Sequence, residues 1–240
     1  MNNGKGGKKY KAVILAGGKG TRLYPITKEI PKPLLPVGRK PILNHLVDLF
    51  QSHGIDDIAV LVNKEFQDDF IWWIKRHYPN ANIELFVEEE HLGTFGGLWL
   101  LKDWLAGQHF FLTNGDELKE LNLEDMARFH EERGGLGTIA LAQVPNPKEY
   151  GVAVLEGDMI EQFLEKPENP PTDYISSGLY LLSPEIFSRH PGPVFSMIEK
   201  ELFPLLAKEG KLSGFKGVSR WTDCGTWERY EKALQEWKLQ

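Results

Sequence analysis

Two periods of apolar and polar positions run along this chain, and their alternation predicts its elements. Tyr10 to Ala16 (YKAVILA) is a short, almost unbroken apolar run closed by Gly17-Gly18, the pattern of a strand buried on both faces. About twenty residues rich in Gly, Pro and Lys follow and read as a loop. Pro41 to Gly54 has helical spacing, with Pro in the first turn, apolar Ile42, Leu43, Leu46, Leu49 and Phe50 on one side, and Gly as the stop. Ile58 to Val62 is a second strand. A helix over Glu65 to Tyr78 then carries a stripe of Phe66, Phe70, Ile71, Trp73 and Ile74, which leaves Trp72 pointing away as a candidate contact of a homo-oligomer.

The alternation continues with a strand at Ile83 to Val87, a helix at Phe95 to Leu105 and a strand at His109 to Thr113 that runs into Asn114-Gly115-Asp116. Strand then helix, three times over, predicts a parallel sheet covered by helices. After a helix at Leu123 to Arg133 the character changes to strands at Thr138 to Val144, Val152 to Leu155, Ile160 to Leu164 and Ile175 to Leu182. Gly157-Asp158 forms a hairpin turn between two of them. Helical segments at Pro184 to Arg189 and Phe195 to Glu209, a strand at Leu212 to Lys216 and a last helix with Trp227, Tyr230, Leu234 and Trp237 on one face complete the pattern. No internal repeat occurs, and no hexapeptide array that would append a β-helix.

Composition narrows the function classes. The 41% hydrophobic and 26% charged content of these 240 residues is that of a globular chain with a sizeable core. No apolar run approaches the roughly 18 residues of a membrane span, and MNNGKGGKKY lacks a stretch of signal-peptide length, so the expected location is the cytoplasm, away from membranes. The single cysteine, Cys224, can form neither an internal disulfide nor a thiolate zinc site. The net charge of −6 hides an asymmetry: residues 1–40 carry ten cations against Glu29 alone, a balance of +9, which leaves −15 for the rest. An acidic body argues against nucleic acid as a partner, while a local cationic segment suits a compact anionic ligand. Residues 1–9 read as a flexible basic tail and 10–240 as the folded unit.

The cations between Lys19 and Lys40 are interleaved with Gly and Pro in AGGKGTRLYPITKEIPKPLLPV, Ala16 to Val37. Gly17, Gly18 and Gly20 after a buried strand let backbone amides approach a phosphate chain without obstruction by Cβ. A tight turn would use glycines too, but Arg22 and Lys32 add a planar fork and a point charge to the same loop. The loop is not a Walker loop, because Gly20 follows Gly18-Lys19, and not G-x-G-x-x-G, because Leu23 stands at the third glycine. No H-E-x-x-H and no G-x-S-x-G occurs, so zinc proteolysis and acyl transfer find no support.

This stretch resembles the signature of the sugar-1-phosphate nucleotidyltransferases, the nucleotide-sugar pyrophosphorylases: the pattern G-G-x-G-T-R-L-x-P-x-T-x-x-x-P-K-P is matched from Gly17 to Pro33. The likeness extends to LGTFGGL (Leu92 to Leu98), NGD (Asn114 to Asp116), YGV (Tyr150 to Val152), EKP (Glu165 to Pro167), SSGLYLLSPEIF (Ser176 to Phe187) and WTDCGTWERY (Trp221 to Tyr230). The resemblance implies an α/β fold, a single Rossmann-like, glycosyltransferase-A-type domain with a mixed, mainly parallel central sheet flanked by helices. It implies NTP and sugar-1-phosphate as substrates and Mg²⁺ as cofactor. Asp116 and Asp223 would be the metal pair, Arg22 would grip the leaving pyrophosphate, and Lys32 would serve the α-phosphate side. Ala16, Gly17, Gly18, Gly20, Thr21, Gly93 and Thr94 would bind nucleotide. Lys166 would hold the sugar phosphate and Glu165 the sugar hydroxyls, with Gly151 and Gly178 lining that pocket by backbone.

Glu88-Glu89-Glu90 before Leu92-Gly93-Thr94 resembles the E-E-E-P-L-G-T of mannose-1-phosphate guanylyltransferases, and a carboxylate accepts from both N1–H and N2–H₂ of guanine. Glu88, five residues before Gly93, is the expected contact and GTP the expected nucleotide. Three departures, Phe95 for Ala, Ser176-Ser177 for Asn-Ala and Cys224 for Ile, are expected to touch the nucleotide and sugar pockets. The rival readings are UTP- or dTTP-dependent transfer, a phosphocholine-type cytidylyltransferase, and a non-catalytic subunit that senses nucleotide-sugar.

Overall fold

The apolar run at the start of the folded chain becomes strand β1 (Lys11–Leu15), and the rest of the molecule is laid out around it. A computed structural model describes residues 10–190 and 192–237; the basic tail predicted over residues 1–9 lies outside the described residues. After β1 come the two-residue strands β2 (Pro36–Val37) and β3 (Lys40–Pro41), helix α1 (Ile42–Ser52), β4 (Ile58–Asn63), α2 (Gln67–His77), β5 (Ile83–Glu88), α3 (Gly93–Gly96) and β6 (Phe110–Asn114). The chain continues through β7 (Glu117–Glu120), α4 (Leu123–Arg133), β8 (Gly137–Gln143), β9 (Gly151–Glu156), β10 (Met159–Glu165) and β11 (Tyr174–Leu182). It ends with α5 (Phe203–Lys208), β12 (Leu212–Phe215), β13 (Arg220–Asp223) and α6 (Trp227–Glu236).

Nine strands form one sheet in the order β5-β4-β1-β6-β11-β8-β12-β10-β9. Their pairings run seven strands one way, with β10 and β11 reversed, so the sheet is mixed with one dominant direction. Because side chains alternate across a strand, β1 serves two cores at once. Ala12 and Ile14 face a layer built from α1, α2 and α4, and Val13 faces one built from Phe95 to Leu105 and α5. Both layers are needed to cover strands with no polar face, the situation of a sheet sandwiched between helices.

Several expectations change on contact with the fold. The helix expected over Phe95 to Leu105 is one α-turn, α3, continued as a 3-10 segment over Gly97–Leu101, and the helix expected from Phe195 starts at Ile198. In α6 the buried positions are Tyr230, Ala233 and then Trp237, while Trp227 and Leu234 are 40% and 48% exposed, so the expected apolar face is covered along one side only. Strands β7 and β13 had no signal in the sequence; they pair antiparallel, Glu117 against Asp223 and Glu120 against Arg220. The supposed loop after β1 is instead three 3-10 turns, anchored by fully buried Leu23 and Leu35 in a third core with Leu118, Cys224 and Tyr230.

Trp72 and Trp73 test the layer packing side by side. Trp73 is 1% exposed and donates through Nε1 to Asn44 Oδ1 at 2.7 Å, whereas Trp72 is 63% exposed, as the helical stripe predicts. Trp73→Ala is expected to cost about 3–5 kcal/mol and Trp72→Ala no more than about 0.5 kcal/mol, read as the shift of the urea unfolding midpoint.

Candidate active site

Strands of the dominant direction deliver Ala16, Asn63, Glu88 and Asn114 to one end of the sheet, where the crevice of an open α/β sheet lies. Two cavities occupy that end. One, of about 340 Å³, is lined by Ala16, Gly17, Gly18, Gly20, Thr21, Arg22, Lys32, Glu88, Gly93 and Thr94, among others. The second, of about 200 Å³, is lined by Gly151, Glu165, Lys166, Gly178 and Asp223, together with Tyr150, Ser176 and Arg229. Arg22, Asn114, Asp116 and Glu199 line both, so the cavities meet at these four side chains.

The glycine loop is shaped by close approaches. Gly20 takes φ +62°, and a Cβ there would meet Thr27 Cγ2 at 3.0 Å, so the turn admits only glycine without strain. A Cβ on Gly17 would meet Glu88 Oε2 at 2.8 Å, whereas one on Gly18 would meet nothing within 4 Å. Gly17 therefore seats the Glu88 carboxylate, and Gly18 leaves backbone open to a ligand. Among the three consecutive acids only Glu88 enters the wall, at 4% exposure; Glu89 and Glu90 are exposed, and Glu89 pairs with Lys64. Burial raises the Glu88 pKa, with the Leu92 N–H donating to Oε1 at 3.2 Å and the nearby His91 pulling the other way.

At the junction, Lys32 Nζ donates to Asp116 Oδ2 across 84 residues of chain. Burial pushes the Asp116 pKa up, but the charge and hydrogen bond of Lys32, with Lys119 and Arg22 behind them, outweigh it and hold the carboxyl below its ordinary range. Asp223 ends β13. Its Oδ2 accepts from Tyr150 Oη at 2.7 Å, its Oδ1 from the Gly225 N–H at 2.7 Å, and Arg229 Nη1 approaches at 3.2 Å. Gly225 leaves space at this spot, since a Cβ would stand 2.5 Å from Asp223 Oδ1 and 3.3 Å from Arg22 Nη2.

Beneath the junction lies a buried ion pair with no signal in the sequence. Lys119 Nζ donates to Ser177 O at 2.8 Å, Thr113 Oγ1 at 2.9 Å and Glu117 Oε2 at 3.3 Å; Glu117 also accepts from Asn114 Nδ2 at 2.8 Å and Trp221 Nε1 at 2.9 Å. Burial pushes Glu117 up and Lys119 down, each countered by the other's charge. Gly178, at φ +64°, packs so close that a Cβ would meet both Glu117 oxygens at 2.5 Å. On the second cavity's rim, Lys166 holds a left-handed φ of +49° and sits 3.5 Å from Glu165 Oε1.

Two of the three departures do not touch the pockets. Phe95 is 1% exposed in the core, with the His190 ring 4.1 Å from its own, and Cys224 is fully buried in the third core, where its thiol is pushed up to about 12. Both side chains turn inward because α3 and the β13 end are covered. Ser176 does line the second cavity, and Ser177 supplies the carbonyl that Lys119 holds. The Thr94 hydroxyl is committed to Glu199 Oε2 at 2.6 Å and accepts from the Ile198 N–H at 3.0 Å, so it presents no free donor to the cavity it lines. No helix among the described residues is long and apolar enough to cross a membrane.

The chain matches the family described as nucleotidyl transferase over residues 11–238. It is 40% identical over 223 residues to the mannose-1-phosphate guanyltransferase of Schizosaccharomyces pombe and 37% identical over 222 residues to that of Saccharomyces cerevisiae, in each case over 90% of this chain and 61% of the relative. It thus spans about three fifths of the length of these relatives. Among solved structures it resembles a putative glucose-1-phosphate thymidylyltransferase from Bacillus anthracis, with TM-score 0.83, 27% identity and 94% of each chain covered. HddC from Yersinia pseudotuberculosis, complexed with GMP-PN, matches with TM-score 0.79 and 27% identity over 95% of this chain and 100% of that one.

Removing the cation from the junction should expose the opposing effect of burial. In Lys32→Met the Asp116 carboxyl is expected to titrate at higher pH than in the parent protein, followed by side-chain carbonyl NMR. An unmoved titration would mean that Lys119 and Arg22 suffice to hold it down.

Proposed function

Because this chain belongs to the nucleotidyl transferase family, we propose that it transfers a nucleoside monophosphate from GTP to a sugar 1-phosphate of the mannose-1-phosphate kind, giving an NDP-sugar and pyrophosphate. The observation that carries this reading is the shared wall of the two cavities. A glycine loop with Arg22 and Lys32 lines one, Glu165 and Lys166 line the other, and Asp116 and Arg22 belong to both. Two anionic substrates seated in these cavities would bring their reacting phosphates together at the junction, which is the proximity such a transfer needs.

An oxygen of the sugar phosphate attacks the α-phosphorus of the triphosphate and forms the new P–O bond. The bond between that phosphorus and the α,β-bridging oxygen breaks, and pyrophosphate leaves with the electron pair. The second pKa of a phosphate monoester is about 6, so the attacking oxygen is already ionised at neutral pH and no side chain needs to remove a proton. The chain's residues position and neutralise charge. Backbone amides around Gly18 face the triphosphate, Arg22 meets the leaving pyrophosphate, Lys32 the α-phosphate and Lys166 the sugar phosphate.

Asp116 and Asp223 fit a magnesium ion by the chemistry of the donors: Asp116 is held ionised, both line one cavity, and each retains lone pairs beyond those its protein partners occupy. Mg²⁺ takes one or two carboxylates and completes its shell with phosphate oxygens and water, and when bound it would offset phosphate charge in the transition state. For the base, Glu88 is the one acid of its run placed in the nucleotide cavity, and it is an acceptor-only group when ionised, suited to the N1–H and N2–H₂ edge of guanine.

Pyrophosphate release, measured over a grid of NTPs and phosphorylated acceptors with and without Mg²⁺, tests the whole reading. GTP with a sugar 1-phosphate and Mg²⁺ is the expected pair. UTP or dTTP in its place, turnover of CTP with phosphocholine, or tight nucleotide-sugar binding without turnover would instead select a rival. Asp116→Asn is expected to lower kcat by about 100-fold or more in a protein whose circular dichroism spectrum still shows it folded. Glu88→Gln removes one acceptor and should cost about 1–3 kcal/mol of GTP preference, seen as a rise of UTP and dTTP relative to GTP in kcat/KM. An unchanged ranking would remove Glu88 from base recognition and leave the transfer reaction standing.

A further inference from the structure

Glu199 is a carboxylate at the junction to which the reaction above gives no task. It is the second residue of the turn segment Ile198–Leu202 that leads into α5, it is partly buried, and it lines both cavities. A carboxyl in such a place needs hydrogen-bond donors. Thr94 Oγ1 supplies one, at 2.6 Å to Oε2, and is itself oriented by the Ile198 N–H. An ionised carboxylate offers about four lone-pair sites, so capacity remains for a ligand.

The charges nearby say what kind of ligand. Lys166 pairs with Glu165, while Glu199 has no Lys or Arg within ion-pair distance among the described residues. Burial raises the Glu199 pKa and the neighbouring Glu165 charge adds to the rise, against the hydrogen bonds from Thr94 and from its own backbone N–H and the charge of Lys166. The reacting phosphates have Arg22, Lys32 and Lys166 to meet them, whereas an acid group on the sugar brought against Glu199 itself would face a carboxylate that carries no ion-paired cation. A hydroxyl donor would be welcome, because it satisfies the carboxylate without adding charge.

We propose that Glu199 is a second hydroxyl-reading carboxylate of the sugar cavity, which together with Glu165 selects a sugar phosphate bearing free hydroxyls at two separate positions and excludes sugars carrying an acid group there. The proposal rests on the sugar-1-phosphate reading above and deepens it. Thr94, although it belongs to the turn that lines the nucleotide cavity, serves in this arrangement as the positioning residue of the sugar side. Its loss is felt in sugar recognition more than in nucleotide binding.

The experiment uses the full chain with saturating GTP and Mg²⁺, and compares mannose 1-phosphate with its 2-, 3-, 4- and 6-deoxy derivatives. The parent protein should disfavour at least two of these by about tenfold or more in kcat/KM. Glu199→Met should lose the discrimination at one of those positions and keep it at the other, and Glu165→Gln should do the reverse. Glu199→Gln, which keeps the volume and one acceptor, gives a partial loss at the same position and covers the case in which the Met variant does not fold. Thr94→Val should raise KM for the sugar phosphate several-fold more than KM for GTP. Retention of the full parental pattern in a folded Glu199→Gln protein, with KM for the sugar phosphate unmoved in Thr94→Val, would overturn the assignment. A parent protein that releases pyrophosphate with other acceptors and with no sugar 1-phosphate would overturn the functional reading first, and this one with it.

Discussion

The contact between Lys32 and Asp116 ties the cationic segment of the chain to the end of its sheet, and the arrangement of the site depends on it. Lys32 sits in a 3-10 turn whose neighbours Leu23 and Leu35 are fully buried in the third core. Asp116 occupies the tight turn between β6 and β7, and its carbonyl accepts from the Cys224 N–H at 3.1 Å, which draws Asp223 to the same place. The ion pair and this backbone hydrogen bond together align the glycine loop, the end of β6 and the end of β13. A pair 6% and 34% exposed is neither a solvent-screened surface bridge nor a fully desolvated one. It holds the aspartate ionised in the wall that the two cavities share.

Glu117 and Lys119 support that junction from below, at a cost that a purely apolar core would avoid. Lys119 reaches across to the Ser177 carbonyl on β11, and Glu117 gathers Asn114 from β6 and Trp221 from β13. Removing one partner of such a buried pair costs about 3–5 kcal/mol because the other charge is left buried and uncompensated, so the pair fixes how these strands meet without adding stability over apolar packing. The β11 register breaks between Ser176 and Tyr180, where Gly178 adopts its left-handed conformation against Glu117. The irregular backbone there forms one wall of the second cavity, the kind of place where strain and bulges collect at functional sites.

Much of this was legible from local pattern. The continuous apolar run of β1, the amphipathic spacing of α1 and α2 and the exposed Trp72 follow from side-chain periodicity, which each segment carries within itself. The glycine loop and its cations stand out because few tasks other than holding a phosphate need bare backbone and a guanidinium together, and the residues singled out line the two cavities that meet at the end of the sheet. The four-residue strands ELKE and RWTD gave no such signal. Their pairing partners are about a hundred residues apart, and six of their eight positions are polar, so only the ladder between them makes either a strand.

Sequence alone therefore determined the residue types of the site, the alternating order of strands and helices, and the family resemblance, all of which are encoded in spacing along the chain. Tertiary structure alone decided that of three consecutive acids only Glu88 enters the cavity wall, that Phe95 and Cys224 turn into cores rather than pockets, and that Thr94 is bound to Glu199. These outcomes depend on which distant segment covers a given face: Gly17 and Gly97 leave room for the Glu88 carboxylate, His190 caps Phe95, and the turn at Ile198 receives Thr94. A side chain's partners across the fold are set by the packing of whole layers, and no pattern within ten or twenty residues of Glu88, Phe95 or Thr94 records them.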